Sequence, residues 1–201
     1  MNFLAHAFLS FDQPKILVGN FIGDFVKGNL EEQFEREIID GIRLHREIDR
    51  FTDFHPLVKE SQLLLKPVFF RYSSVITDMF FDYFLAKNWS TYHDVALEIF
   101  SQKVYEMIED YLPLLPDKFK YAFSFMKKEN WLVAYGTEAG IQRALTGISH
   151  RTTFKSNLEN ATSHLMLHHD QFQRYFDNFF PELIAFSKET LLKIQQEDDP
   201  K

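Results

Sequence analysis

In Ile38-Ile39-Asp40-Gly41-Ile42-Arg43-Leu44-His45-Arg46-Glu47-Ile48-Asp49-Arg50 the apolar residues recur at helical spacing. At about 100° per residue, Ile38, Ile42, His45 and Asp49 share one stripe, beside Gly41, Leu44 and Ile48. Arg43, Arg46, Glu47 and Arg50 share the opposite face. The pattern predicts an amphipathic helix that carries an imidazole and a carboxylate into the core, one turn apart. Burying such groups without partners costs several kcal/mol (~3 or more for a charge), so each needs one. A divalent cation is one candidate.

The same question applies to Val75-Ile76-Thr77-Asp78-Met79-Phe80-Phe81-Asp82-Tyr83-Phe84-Leu85-Ala86, where all residues but Thr77 and the two acids are apolar or aromatic. That helix is expected to be buried nearly all round. Its acids form a second i,i+4 pair. Two carboxylates on one turn repel unless one is protonated or a cation lies near them. For either acid alone, an internal Arg partner is the competing account.

Outward from these two segments the chain reads as helix after helix. Asp12-Gln13-Pro14 opens one that runs to about Lys27 and stops near Gly28-Asn29, and another spans about Glu32 to Phe51. Further helices are expected over about 57–66, 73–87, 93–111, 117–127, 137–146, 153–177 and 181–196, punctuated by Pro67, Pro113, Pro116 and Pro181. Alternating strand patterns are nearly absent, and 23 Phe stand against 7 Gly and 7 Pro. With no repeat, linker or composition break, residues 1–201 are read as a single-domain, all-α helical bundle.

Composition narrows the function. Zero Cys excludes disulfides, thiolate metal sites and a Cys nucleophile, and fits a reducing, cytoplasmic setting. The first residues lack the cationic stretch of a signal peptide, and no apolar run is long enough for membrane insertion. A net charge of −7 argues against nucleic-acid binding. It also requires any acidic protein partner to meet a local basic patch.

Two more polar residues intrude on apolar surroundings. His6 is the lone polar side chain between Phe3 and Leu9, and Asp24 is the single charge in Val18-Gly19-Asn20-Phe21-Ile22-Gly23-Asp24-Phe25-Val26. For His6 alone a satisfied core histidine is the ordinary account, and Gly19 and Gly23 need do no more than let another helix pack closely. Together, His6, Asp24, His45, Asp49, Asp78 and Asp82 form a nitrogen and oxygen donor set without sulfur, suited to Mn²⁺ or Mg²⁺ and less selectively to Fe²⁺ or Zn²⁺. A cation there would favour phosphohydrolase chemistry. His93-Asp94 and His164 with His168-His169-Asp170 are literal His-Asp combinations, but they read as a helix start and a solvated face.

Several blocks carry a family resemblance: Asn2-Phe3-Leu4-Ala5-His6, the run Gly19 to Gly28, Gly41 to Asp49 followed by Thr52-Asp53, Asp78 to Leu85 with Trp89, and Asn130-Trp131-Leu132 with Tyr135. In this order they resemble the acyl carrier protein phosphodiesterases from residue 1 to about residue 151. The resemblance implies a divergent, HD-domain-like branch of the metal-dependent phosphohydrolases, with manganese preferred. It implies holo acyl carrier protein as substrate, hydrolysed to the apo protein and 4′-phosphopantetheine. The adjacent His-Asp dyad of HD domains is missing from the matching blocks.

On that resemblance Asp24, His45 and Asp78 are expected to hold the cation, with His6 or Asp82 completing or orienting the set. Asp49 or Asp82 is expected to position water or take its proton, and Arg46 or Arg151 to steady the phosphoryl charge. Arg43, Arg46 and Arg50, with Lys27 and Lys59, are the candidate surface for an acidic carrier protein; a solvated face balanced by Glu37 and Glu47 is the plainer account. Two other readings stand beside this one: a phosphohydrolase of the same superfamily acting on nucleotides or phosphomonoesters, and a helical lipid- or partner-binding protein without enzymatic activity.

Overall fold

The computed structural model describes residues 1–154 and 156–197. Those residues form helices and no strand, so the all-α expectation holds. The order is α1 (Phe3–Phe8), α2 (Pro14–Ile22), α3 (Arg36–Phe54), α4 (Pro56–Phe69), α5 (Ser73–Lys87), α6 (Trp89–Tyr92), α7 (Leu97–Tyr111), α8 (Asp117–Lys128), α9 (Trp131–Ala134), α10 (Glu138–Ser149), α11 (Ala161–Leu167) and α12 (His169–Glu197). No helix among the described residues is long and apolar enough to cross a membrane.

The apolar segment of α5 is the centre of the core. Ile76, Phe80, Phe81, Phe84 and Leu85 are wholly inaccessible, and α1, α4, α10 and α12 pack around them. Phe81 sits between Phe176 and Phe179 of α12, with ring centroids 5.8 and 5.4 Å away. Emptying such a site by Phe→Ala costs about 3–5 kcal/mol.

The closest helix pairing is α2 against α3. A Cβ added to Gly19 would lie 2.0 Å from the carbonyl oxygen of Ile38, and one added to Gly41 would lie 2.3 Å from that of Ile16. The two glycines therefore let the backbones touch, and this fixes the register between the segment bearing Asn20 and Asp24 and the one bearing His45 and Asp49.

The boundaries differ from expectation where local hydrogen bonds or a left-handed residue intervene. α3 starts at Arg36, not near Glu32, because Gln33 donates to the carbonyls of Lys27 and Asn29 and closes a loop ahead of it. His93 does not open α7; its Nδ1 accepts from Val95 N–H, and the helix begins at Leu97. The stretch expected as helix from 153 is broken by Asn157 at φ +57°, and α11 begins only at Ala161; Lys155 lies outside the described residues. Pro67 and Pro181 do not end their helices. Both prolines are exposed, and buried neighbours on either side, Leu65 and Phe69 for one and Phe180 and Leu183 for the other, keep each helix against the core despite the lost hydrogen bond.

Candidate metal centre

Asn20 organises the centre, and nothing in its apolar neighbourhood announces this. Its side-chain Nδ2 donates to His6 O at 2.9 Å and to Ser10 Oγ at 3.1 Å. The carbonyl accepts only, and the Ser10 hydroxyl proton is already given to His6 O at 2.7 Å. Asn20 Oδ1 therefore faces His6 Nδ1, 2.7 Å away, and that ring nitrogen carries a proton. The backbone oxygen of the same residue lies 2.8 Å from His45 Nδ1, which must likewise donate. One asparagine thus sets both imidazoles with Nε2 turned the other way.

Both Nε2 atoms turn to Asp49. His6 Nε2 is 3.2 Å from its Oδ1, and His45 Nε2 is 3.1 Å from its Oδ2. The rings stack with centroids 4.1 Å apart. Each Nε2 is buried and misaligned for a hydrogen bond, though a carboxylate oxygen is close. Asp24, on the 3₁₀ turn after α2, comes within 3.3 Å of His45 Nε2 while 78% of its side chain stays exposed. A Cβ on Gly23 would fall 2.3 Å from the His45 ring, so glycine there makes room for the imidazole.

This set fits a divalent cation. Two buried imidazole nitrogens without a good hydrogen bond converge on one carboxylate, and each ring's other nitrogen is fixed by an acceptor. His6, His45 and Asp49 each offer a ligand atom within 4.8 Å of the others, the one such group among the described residues. Without a cation, a proton takes its place. Burial works against charging His45, but the Asp24 and Asp49 carboxylates outweigh it and raise its pKa to about 9. Burial and the charge on His45 lower His6 to about 4. Although burial would raise Asp49, His45, His6 and the Met1 ammonium hold it far below the ordinary carboxylate range.

Asp78 and Asp82, expected at the centre, are committed elsewhere. The Met1 ammonium lies 3.3 Å from Asp78 and 3.6 Å from Asp49. Asp82 is wholly buried and accepts from the backbone N–H groups of Leu4 (2.8 Å), Asn2 (3.3 Å) and Ala5 (3.3 Å). Its carboxylate caps the first turn of α1, whose N–H groups have no intrahelical acceptor. The expected proton-handling role of Asp82 thus meets a side chain closed off from solvent, and the expected ligand Asp78 meets an ammonium.

The cationic candidates are spread out. Arg43, Arg46 and Arg50 line a shallow depression against Lys193 of α12, and Arg50 pairs with Glu47 at 2.8 Å. Lys59 lies 6.0 Å over the Phe54 ring, Lys27 is exposed after α2, and Arg151 borders a different groove beyond α10. His93 stacks on Trp89, while His169 and Asp170 meet at 3.4 Å on the surface. No spacing rule isolates Asn20; the signal available was a lone amide inside the otherwise apolar segment Ile16 to Ile22.

The sequence pattern of the family described as acyl carrier protein phosphodiesterase matches residues 1–183. A protein of that name from Photorhabdus laumondii is 34% identical over 188 residues, covering 92% of this chain and 93% of its own. One from Klebsiella pneumoniae is 33% identical over 94% of this chain and 98% of its own; one from Escherichia coli is 33% identical over 92% and 96%. No solved structure matches, so likeness to an HD domain finds no support there. The chain belongs to the acyl carrier protein phosphodiesterase family.

Proposed function

We propose that this protein hydrolyses the phosphodiester between 4′-phosphopantetheine and the carrier serine of holo acyl carrier protein, using a divalent cation held by His6, His45 and Asp49. Water adds to phosphorus, the bond from phosphorus to the serine oxygen breaks, and that oxygen takes up a proton; apo carrier and 4′-phosphopantetheine leave. The observation that carries the reading is the pair of Nε2 atoms aimed at Asp49 by the two oxygens of Asn20. Family membership supports the substrate.

When bound, a divalent cation supplies Lewis acidity toward a phosphoryl oxygen and makes a coordinated water more acidic. The donor set of two imidazoles and a carboxylate, with Asp24 alongside, suits Mn²⁺ and, with weaker affinity, Mg²⁺. Asn20 keeps both imidazoles in the tautomer that offers Nε2. Asp24 borders His45 from the solvent side, the position from which a carboxylate accepts a proton as water attacks. Asp78 and Asp82 hold Met1 and the first turn of α1, and thereby His6, one turn further on. In this reading Arg151, on the groove bordered by Asn2, would meet phosphoryl charge, and Arg43, Arg46 and Arg50 would offer an acidic carrier a basic strip.

The test is to incubate holo carrier protein with the purified enzyme and Mn²⁺ and weigh the carrier by mass spectrometry. The reading expects the phosphopantetheine mass to be lost with Mn²⁺ and retained with EDTA. A carrier that keeps its full mass in both would defeat it.

A further inference from the structure

A groove of about 600 Å³ runs past Asn2, next to the Met1 ammonium that touches Asp49. Asn2 and Met79 line it. Asn2 follows Met1, whose ammonium touches Asp49 and Asp78, and it lies one helical turn before His6. The groove is also bordered by Arg143 and Gly147 of α10 with Arg151 just past its end, and by the aromatic Tyr121 and Phe125 of α8. Tyr121 and Phe125 are among the more exposed large side chains of the chain, 71% and 40%.

Gly147 is the telling residue. It sits inside α10, where glycine weakens a helix through its backbone entropy. At other helical glycines a Cβ would strike backbone or a ring, whereas at Gly147 it would meet nothing within 4 Å. Packing does not require glycine there. What its missing side chain leaves is open width in the groove.

We infer that this groove receives the pantetheine arm of the substrate, and that Gly147 keeps the lane open for it. The inference rests on the carrier-protein reading above and adds where the arm lies. With phosphorus at the cation, a linear chain of amides and methylenes ending in a thiol must leave the centre along some path. A groove of this volume suits a ligand of that size, apolar in most of its lining with a few polar groups to fix orientation. Arg143 and Arg151 supply hydrogen-bond donors along it for the arm's amide oxygens, with Arg151 Nε donating to Gly147 O at 3.1 Å.

Trp131 provides the measurement, since it borders the groove, its ring tilted against that of Phe3 with centroids 6.5 Å apart. The other of the two Trp, Trp89, is buried against Phe100 and serves as a constant background. Metal-free protein is titrated with 4′-phosphopantetheine, with inorganic phosphate as control and Trp131→Phe to assign the signal. The expected result is a saturable change in Trp131 emission with the arm and none with phosphate. Gly147→Leu is expected to raise the Kd at least tenfold and Gly147→Ala by less, with a melting temperature at or above that of the unsubstituted protein. The inference is overturned if the arm gives no saturable change, or if folded Gly147→Leu binds it as tightly as before. Because no cation is present, arm binding without hydrolysis of holo carrier would count against the metal centre alone, and hydrolysis without arm binding in the groove against this inference alone.

Discussion

Two helices each carry a pair of ionisable residues four positions apart in apolar surroundings, and the structure puts them to different uses. On α3, His45 and Asp49 face a second imidazole and an exposed carboxylate, and one asparagine accepts from the Nδ1 of both imidazoles. On α5, Asp78 and Asp82 face the amino-terminal segment, one meeting the Met1 ammonium and the other three backbone N–H groups. The spacing is the same; the neighbours decide. A pair with donor atoms left over can accept a ligand, whereas a pair whose lone pairs are taken up by the fold serves as an anchor.

Breaking each pair separately tests that division. Asp49→Asn keeps shape but weakens the carboxylate as a ligand, and it is expected to reduce turnover of holo carrier by more than the ~100-fold that loss of a group one step from the ion costs. Steady-state assays at saturating Mn²⁺ check this. Asp82→Ala is expected to act through stability, since three buried N–H groups lose their acceptor: a loss of about 3 kcal/mol or more, read from urea unfolding. The protein that remains folded should still bind Mn²⁺.

Asn20→Ala sharpens the comparison within the α3 pair. It removes the acceptor of His6 Nδ1 but leaves the backbone oxygen that orients His45. Mn²⁺ affinity is expected to fall about 10–100-fold, less than for Asp49→Asn, with competition against a fluorescent chelator as the readout.

The smallest effect is in pH dependence. In metal-free protein His45 titrates near 9, above its unfolded value near 6.5, so its contribution is fully present below 6.5 and is lost as pH rises to about 9. His6, lowered to about 4, works in the other direction: the unfolded chain binds the extra proton between 4 and 6.5, so stability falls as pH drops through that window. The part of the stability decline between 6.5 and 9 that comes from His45 should vanish in His45→Gln. Unfolding curves at several pH values in EDTA report it.

Much of the fold was legible because helical periodicity is a local property. The α3 and α5 patterns placed both helices to within a few residues, and the apolar run Val75 to Ala86 does form the centre of the core. The misses arose where a local rule met longer-range structure. Pro181 reads as a break, yet α12 runs through it because Phe176, Phe179, Phe180 and Leu183 on either side are buried in the core and hold the helix there. Within the site, His6, Asp24, His45 and Asp49 stand out as polar residues on apolar faces. The roles of Asp78 and Asp82 were not legible, because the groups that consume their lone pairs lie 77 to 80 residues away for the backbone contacts to Asp82. Asn20 escaped notice for a related reason: an amide says nothing of which two rings it will orient.

The most direct measurement is a calorimetric Mn²⁺ titration of the unsubstituted protein beside Asp49→Asn and Asp78→Asn, each first shown to be folded by circular dichroism. The account predicts binding in the unsubstituted protein and in Asp78→Asn, and its loss in Asp49→Asn. Retained binding in Asp49→Asn, or loss confined to Asp78→Asn, would contradict the assignment of the α3 pair as ligands and the α5 pair as anchor.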